Sequence, residues 1–98
     1  GAKDVRTRFE YLDFSENIVF QLAALQYLHH EQGITQQVIF PYSEQLKFLG
    51  EWFVQLLAES TGKENKQGVS VGVTPLVAVG ARDQHSSLQL FSDGPKDK

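Results

Sequence analysis

Two short apolar runs constrain the fold of this chain more than any other feature. The first ends in Val38-Ile39-Phe40-Pro41, and the second is Pro75-Leu76-Val77-Ala78-Val79-Gly80. Strands with one solvent-exposed face alternate apolar and polar residues. Continuous apolar runs are instead typical of strands in a parallel sheet that is buried on both faces. The proline stops the first strand because it lacks a backbone N–H. The sequence therefore predicts two parallel strands, over 36–41 and 75–80.

Helical spacing precedes the first strand. A helix of about 15–32 is predicted from four apolar residues at intervals of three or four: Ile18, Leu22, Leu25 and Leu28. Asp13 or Ser15 is the expected N-cap, and Gly33 the expected end. Other apolar residues fill the gaps, so we expect this helix to be buried against a sheet and a second element. Residues 1–14 read as an irregular or partly helical lead-in.

Two further helices follow the strands. The second is predicted from a Ser43 cap to about Ser60, with Gly62 after its end, and residues 63–74 form a polar and then Val/Gly-rich connection. The third begins at an Asp83 cap and runs to about Phe91. The order helix, strand, helix, strand, helix is typical of an α/β fold with right-handed crossovers. Two strands alone do not make a self-sufficient parallel sheet.

Size and charge exclude several classes of function. The chain has 98 residues, no Cys, and 9 Lys+Arg against 12 Asp+Glu. A net charge of -3 gives no basic surface for nucleic acid or an anionic membrane, and the longest apolar stretch, 18–28, is too short to span a bilayer. The lack of Cys excludes thiolate metal sites and cysteine nucleophiles. No secretory leader is recognisable, so the cytoplasm is the expected compartment.

Candidate chemistry lies at two helix ends. His85 falls in the first turn of the third helix, where the positive end of the helix dipole favours neutral imidazole, a group able to exchange protons. Glu59 falls at the end of the second helix, where the negative end favours a protonated carboxyl and makes the carboxylate a better base. Gln55 stands one turn earlier on the same face and could position a hydroxyl. The alternatives are a packed histidine and two solvated residues beside Lys63.

Two segments resemble bacterial glucose-6-phosphate isomerases. Gly80-Ala81-Arg82-Asp83-Gln84-His85-Ser86-Ser87 is similar to that family's Asp-Gln-His-Ser signature. Glu51-Trp52-Phe53-Val54-Gln55-Leu56 and Ala58-Glu59-Ser60-Thr61-Gly62-Lys63 resemble the stretch that carries its catalytic glutamate. The match runs in register from about Ile18 to the C-terminus. Arg82, Leu57 and Thr61 depart from the usual residues, and none of these departures removes a catalytic group.

The resemblance implies a sugar-isomerase (SIS) fold, a three-layer α/β/α sandwich around a parallel sheet, with residues 1–98 one partial domain. By matching position, Glu59 would move a proton between C1 and C2 of a sugar phosphate through a cis-enediolate, and Gln55 would contact the substrate. His85 would open the pyranose ring. In this family the histidine comes from the neighbouring subunit of a homodimer, and the reaction, a step of glycolysis and gluconeogenesis, takes no cofactor or metal.

Two other functions remain open. One is a non-catalytic SIS module that binds a sugar phosphate as a regulator, which would need neither Glu59 as a base nor His85 as a proton shuttle. The other is an α/β interaction domain whose partner surface is the apolar helix at 18–28. The resemblance also implies that the family's phosphate-binding loop, an arginine and a lysine lie outside these 98 residues. We therefore expect the chain to be a piece of a longer isomerase that is inactive alone.

Overall fold

The computed structural model describes every residue from Gly1 to Lys98. The chain falls into two units, Gly1–Gly33 and Ile34–Lys98. The first unit is helical and the second combines helices with a parallel strand pair, which confirms the predicted α/β fold. None of the helices combines the length and apolar character that crossing a bilayer requires.

The first unit is a pair of helices, α1 (Ala2–Phe9) and α2 (Ile18–Glu31). Asn17 joins them, because its side-chain amide donates to the carbonyls of Phe9 and Tyr11, at 3.0 and 2.7 Å. Its side-chain oxygen accepts from the amides of Val19 and Phe20, both at 3.1 Å. Asn17 is fully buried, and it is the true N-cap of α2.

The predicted caps of this helix, Asp13 and Ser15, are wrong. The Asp13 carboxylate instead accepts hydrogen bonds from the hydroxyl and the amide of Ser15, which lower the pKa of that carboxyl. The expected burial is also wrong, since α2 has no buried residue. Its end is as predicted: Gly33 follows the helix at a φ of 84°, a conformation that favours glycine.

The second unit is built on two strands, β1 (Gln36–Ile39) and β4 (Thr74–Val77), which pair in parallel. Helix α3 (Lys47–Thr61) connects them and packs on β4. Gly50 is buried at that contact, where a Cβ would collide with a γ-methyl of Val77. Both strands are shorter than predicted and end at Ile39 and Val77, although single backbone hydrogen bonds continue the pairing beyond them.

Three details of the second unit differ from the sequence prediction. Ser43 does not cap α3 through its side chain; a 3-10 turn (Glu44–Leu46) follows it and α3 begins at Lys47. The connection over 63–74 contains a small antiparallel hairpin, β2 (Lys63–Glu64) and β3 (Ser70–Val71). Helix α4 (Gln84–Asp93) begins after Asp83 as predicted, but the Asp83 side chain makes no capping bond.

The core of the second unit is small and lies just beyond β4. Ala78 and Val79 are each 3% exposed. The amide of Ala78 donates to the carbonyl of Ile39 at 3.1 Å, and that of Gly80 donates to Pro41 at 2.9 Å, so pairing with the first strand continues past β4. The chain therefore leaves the sheet from a well-packed point directly before α4.

Candidate active site

The loop between β4 and α4 is closed by hydrogen bonds between Val79 and Asp83. The Val79 amide donates to the Asp83 carboxylate at 2.8 Å, and the Asp83 amide donates to the Val79 carbonyl at 2.9 Å. The Asp83 carbonyl then accepts from the amide of Ser87 at 2.9 Å and the hydroxyl of Ser86 at 3.1 Å. One residue thus connects the buried strand end to the first turn of the helix.

Arg82 binds the same carboxylate with two nitrogens. Its Nε lies 2.7 Å from one carboxylate oxygen of Asp83, and a terminal nitrogen lies 2.9 Å from the other. The Arg82 hydrogen bonds, followed by the bond from the Val79 amide, lower the pKa of Asp83 to about 2. The sequence analysis did not predict this ion pair, although adjacent Arg and Asp residues shortly after an apolar strand were a signal for it.

The predicted ring-opening residue, His85, is the second residue of α4. It is exposed, and no hydrogen bond occupies its ring nitrogens. A solvent-accessible neutral imidazole can accept a proton at one nitrogen and donate from the other.

An aromatic side chain lies against the same loop. The Tyr42 ring stacks on Phe40 at 5.2 Å between centroids, and a Cβ added at Gly80 would be 2.7 Å from its Cε1 and Cγ atoms. Phe40 also meets Phe91 of α4 edge to face at 6.2 Å. Glycine is therefore needed at position 80, because the loop runs directly over the ring.

Glu59 and Gln55 are brought together on the last turns of α3. The side-chain amide of Gln55 donates to the Glu59 carboxylate at 3.3 Å, one helical turn away. Both side chains are exposed, so a substrate could reach the carboxylate. On the preceding turns of this face, Phe48 is 74% exposed and Trp52 56% exposed. The polar pair thus ends an uncovered aromatic stripe.

His85 is not brought to this pair. Helix α3 is about 22 Å long, from its 15 residues. Its last residue, Thr61, accepts a hydrogen bond from the amide of Val73, the residue before β4. Glu59 therefore lies near the amino end of β4, whereas His85 follows its carboxyl end. No hydrogen bond joins the two regions.

The cavity found in the structure lies elsewhere. It has a volume of about 590 Å³ and belongs to the first unit, where six residues line it: Asp4, Thr7, Arg8, Tyr11, Asp13 and Glu16. None of the predicted site residues is among them. No group of three or more acidic or histidine side chains is arranged to hold a metal ion.

Comparison with known proteins gives specific matches in sequence. No protein-family model matches the chain. A glucose-6-phosphate isomerase from Carboxydothermus hydrogenoformans is 43% identical over 101 residues, covering 100% of this chain and 22% of the relative. One from Methanocaldococcus jannaschii is 42% identical over 98 residues, covering 100% of this chain and 23% of the relative. A third, from Thermus thermophilus, is 45% identical over 83 residues, covering 85% of this chain and 20% of the relative.

A solved structure also matches this chain in fold. The crystal structure of a hypothetical protein from Thermus thermophilus matches with a TM-score of 0.89 and 39% identity, covering 99% of this chain and 23% of that chain. The chain therefore spans about a fifth of the length of the proteins that it matches. The resemblance to this group of isomerases is confirmed, as a match to one segment of them.

Proposed function

We propose that this chain, which matches one segment of glucose-6-phosphate isomerases along its whole length, supplies catalytic residues to such an enzyme. The complete enzyme interconverts glucose 6-phosphate and fructose 6-phosphate in the cytoplasm, as a step of glycolysis and gluconeogenesis. The observation that carries the proposal is the end-to-end match at 42–43% identity to curated relatives of that name.

Glu59 is the base in this proposal. Its carboxylate takes the proton from C2 of the open-chain aldose, which leaves a cis-enediolate. It returns that proton to C1 as the hydroxyl proton moves from O2 to O1, which gives the ketose with its carbonyl at C2. The accessibility of the carboxylate supports this role. Gln55, which donates to the same carboxylate, contacts a substrate hydroxyl.

His85 opens the sugar ring in this proposal. Ring opening moves a proton from the anomeric hydroxyl to the ring oxygen, and one imidazole can take the first and supply the second through its two nitrogens. The free ring nitrogens of His85 and its exposed position in the first turn of α4 support the assignment.

The complete enzyme is a homodimer in this proposal. Glu59 and His85 must act on one substrate, yet they lie near opposite ends of β4. A second copy that contributes its His85 to the Glu59 of the first copy would complete the site. The proposal also includes the three-layer SIS sandwich, in which further strands from the longer protein extend the β1–β4 pair.

The test uses a complete enzyme, made by putting this chain in place of the matching segment of the Carboxydothermus hydrogenoformans relative. We expect this complete enzyme to form fructose 6-phosphate in a coupled assay. The 98-residue chain alone should show no turnover, because it presents Glu59 and His85 at separate places. Circular dichroism verifies that the complete enzyme is folded. A folded complete enzyme that binds the sugar phosphate without converting it would contradict catalysis and favour a regulatory module.

A further inference from the structure

The Asp83 carboxylate is used in an unusual way for a residue at a helix start. An aspartate at this position ordinarily accepts hydrogen bonds from amides of the first helical turn. Asp83 makes no such bond. Its carboxylate turns back to the amide of Val79, which is the end of the buried segment that follows β4.

These hydrogen bonds hold the first turn of α4 in place against the core. Val79 is almost completely buried, so the atom that donates to Asp83 is held by the core. The carbonyl of Asp83 accepts bonds from Ser86 and Ser87, the two residues that follow His85. Any displacement of Asp83 is therefore passed directly to the turn that carries His85.

Arg82 completes the arrangement. A carboxylate has acceptor capacity for several donors, and the two bonds from Arg82 leave it one orientation in which it still reaches Val79. The Asp83 side chain is 23% exposed and that of Arg82 is 61% exposed, so the guanidinium covers the carboxylate from the solvent side. The far end of α4 is held separately, by Phe91 against Phe40.

We propose that Asp83, oriented by Arg82, is a positioning residue that fixes His85 for ring opening. This inference rests on the proposed function, because it assigns a role toward the reaction of His85. Proton transfer depends steeply on geometry, and a displacement of about 1 Å can reduce a rate by roughly 100-fold. The loss of Asp83 should therefore reduce ring opening and spare the proton transfer at Glu59.

The test compares two substrates in the complete enzyme. One is glucose 6-phosphate, which must be opened from its pyranose; the other is its analogue without the 4- and 5-hydroxyls, which can close neither a furanose nor a pyranose ring. His85→Ala sets the reference and should slow the first substrate far more than the second. For Asp83→Ala we expect roughly a 10- to 100-fold loss on the pyranose and less than about a threefold loss on the analogue.

A conservative variant and a control variant distinguish the loss of His85 positioning from a general loss of folded structure. Asp83→Asn keeps an oxygen for the Val79 amide and should recover activity to within about fivefold of the parent. Asp93→Ala, at the other end of α4, should behave as the parent does on both substrates. If Asp83→Ala does not fold, the positioning role is tested with Arg82→Ala, because the Arg82 side chain is exposed and its removal leaves the core intact. A several-fold loss confined to the pyranose is expected there.

Each other outcome contradicts a specific part of the account. Equal losses on the two substrates for Asp83→Ala, or no loss, would overturn the positioning role while leaving the function of His85 intact. If Asp83→Ala does not fold and Arg82→Ala is measured in its place, equal losses or no loss in Arg82→Ala would likewise overturn the positioning role. If His85→Ala itself affects both substrates equally, the proposed ring-opening function fails, and the inference about Asp83 fails with it.

Discussion

At the scale of single residues, Asp83 shows how one side chain can serve two neighbours. One carboxylate oxygen accepts from a main-chain amide and from the guanidinium of Arg82, and the other accepts from the guanidinium alone. Both partners stabilise the ionised form, so the pKa falls to about 2 from the ordinary value of 3.8. The stabilisation from this carboxylate is therefore complete above its unfolded-state pKa and is lost as the pH falls towards 2.

This dependence on pH can be measured on the carboxyl group itself. In the 98-residue chain labelled with carbon-13 at its aspartates, we expect the Asp83 carboxyl to titrate near pH 2. Arg82→Ala should move its pKa upward, towards 3.8, because the Arg82 hydrogen bonds are the largest cause of the shift. An Asp83 pKa that does not change when Arg82 is removed would contradict this account of the pair.

The sequence predicted the positions of residues better than their partners. Asp83 stands before α4 and His85 in its first turn, as expected from the spacing. That the Asp83 carboxylate would bind Val79 could not be predicted, because this bond depends on how the chain turns after β4. Asn17 was not predicted as the N-cap of α2 for a similar reason, since Asp13 and Ser15 also fit a capping pattern. The hydrogen bonds from Asn17 to the carbonyls of Phe9 and Tyr11 favour the later start of α2, and they depend on how the chain folds back.

At the scale of elements, the contact between α3 and β4 depends on the missing side chain of Gly50. A Cβ there would collide with Val77, and Ile39 of β1 lies beneath at 3.8 Å. Alanine ordinarily favours a helix over glycine by about 1 kcal/mol, whereas overfilling a packed contact costs about 1–3 kcal/mol. We expect Gly50→Ala to destabilise the complete enzyme by about 1 kcal/mol, seen as a lower thermal unfolding midpoint.

The matched control introduces Gly50→Ala into a protein that already carries Val77→Ala. Val77→Ala removes the γ-methyl that the new Cβ would meet, so Gly50→Ala should then be neutral or stabilising. A loss of stability of the same size with and without Val77 would show that Gly50 matters for a reason other than this contact.

The order of the elements could be predicted because each repeats a local pattern. Continuous apolar runs marked both strands, and their parallel pairing is confirmed. The β2–β3 hairpin was missed because it pairs only two residues on each strand, too few to show any periodicity. The burial of α2 was predicted incorrectly because the apolar residues of a helix do not show whether a surface that covers them lies within the same 98 residues.

At the scale of the whole molecule, much apolar surface is uncovered. The large exposed residues include Leu12, 94% exposed, and the aromatic stripe at Phe48 and Trp52 on α3. The relatives are between four and five times longer than this chain, since it covers 22% or 23% of them. In the proposed complete enzyme, the remainder of the longer protein and a second copy cover these surfaces.

The separation of Glu59 from His85 also belongs to this scale. The sequence predicted both residues, and nothing local to either could show that the α3 crossover carries them to opposite ends of β4. Their chemistry is therefore separable, and the proton transfer at C2 can be followed without reference to ring opening.

The most direct test of Glu59 as the base is hydrogen exchange at C2 of the sugar phosphate. The complete enzyme should replace the C2 hydrogen with deuterium from heavy water, and Glu59→Gln should abolish this exchange while the protein still binds substrate. Glu51→Gln, an exposed change two turns earlier on α3, should exchange as the parent does. Exchange that continues at the parent rate in Glu59→Gln would contradict the account.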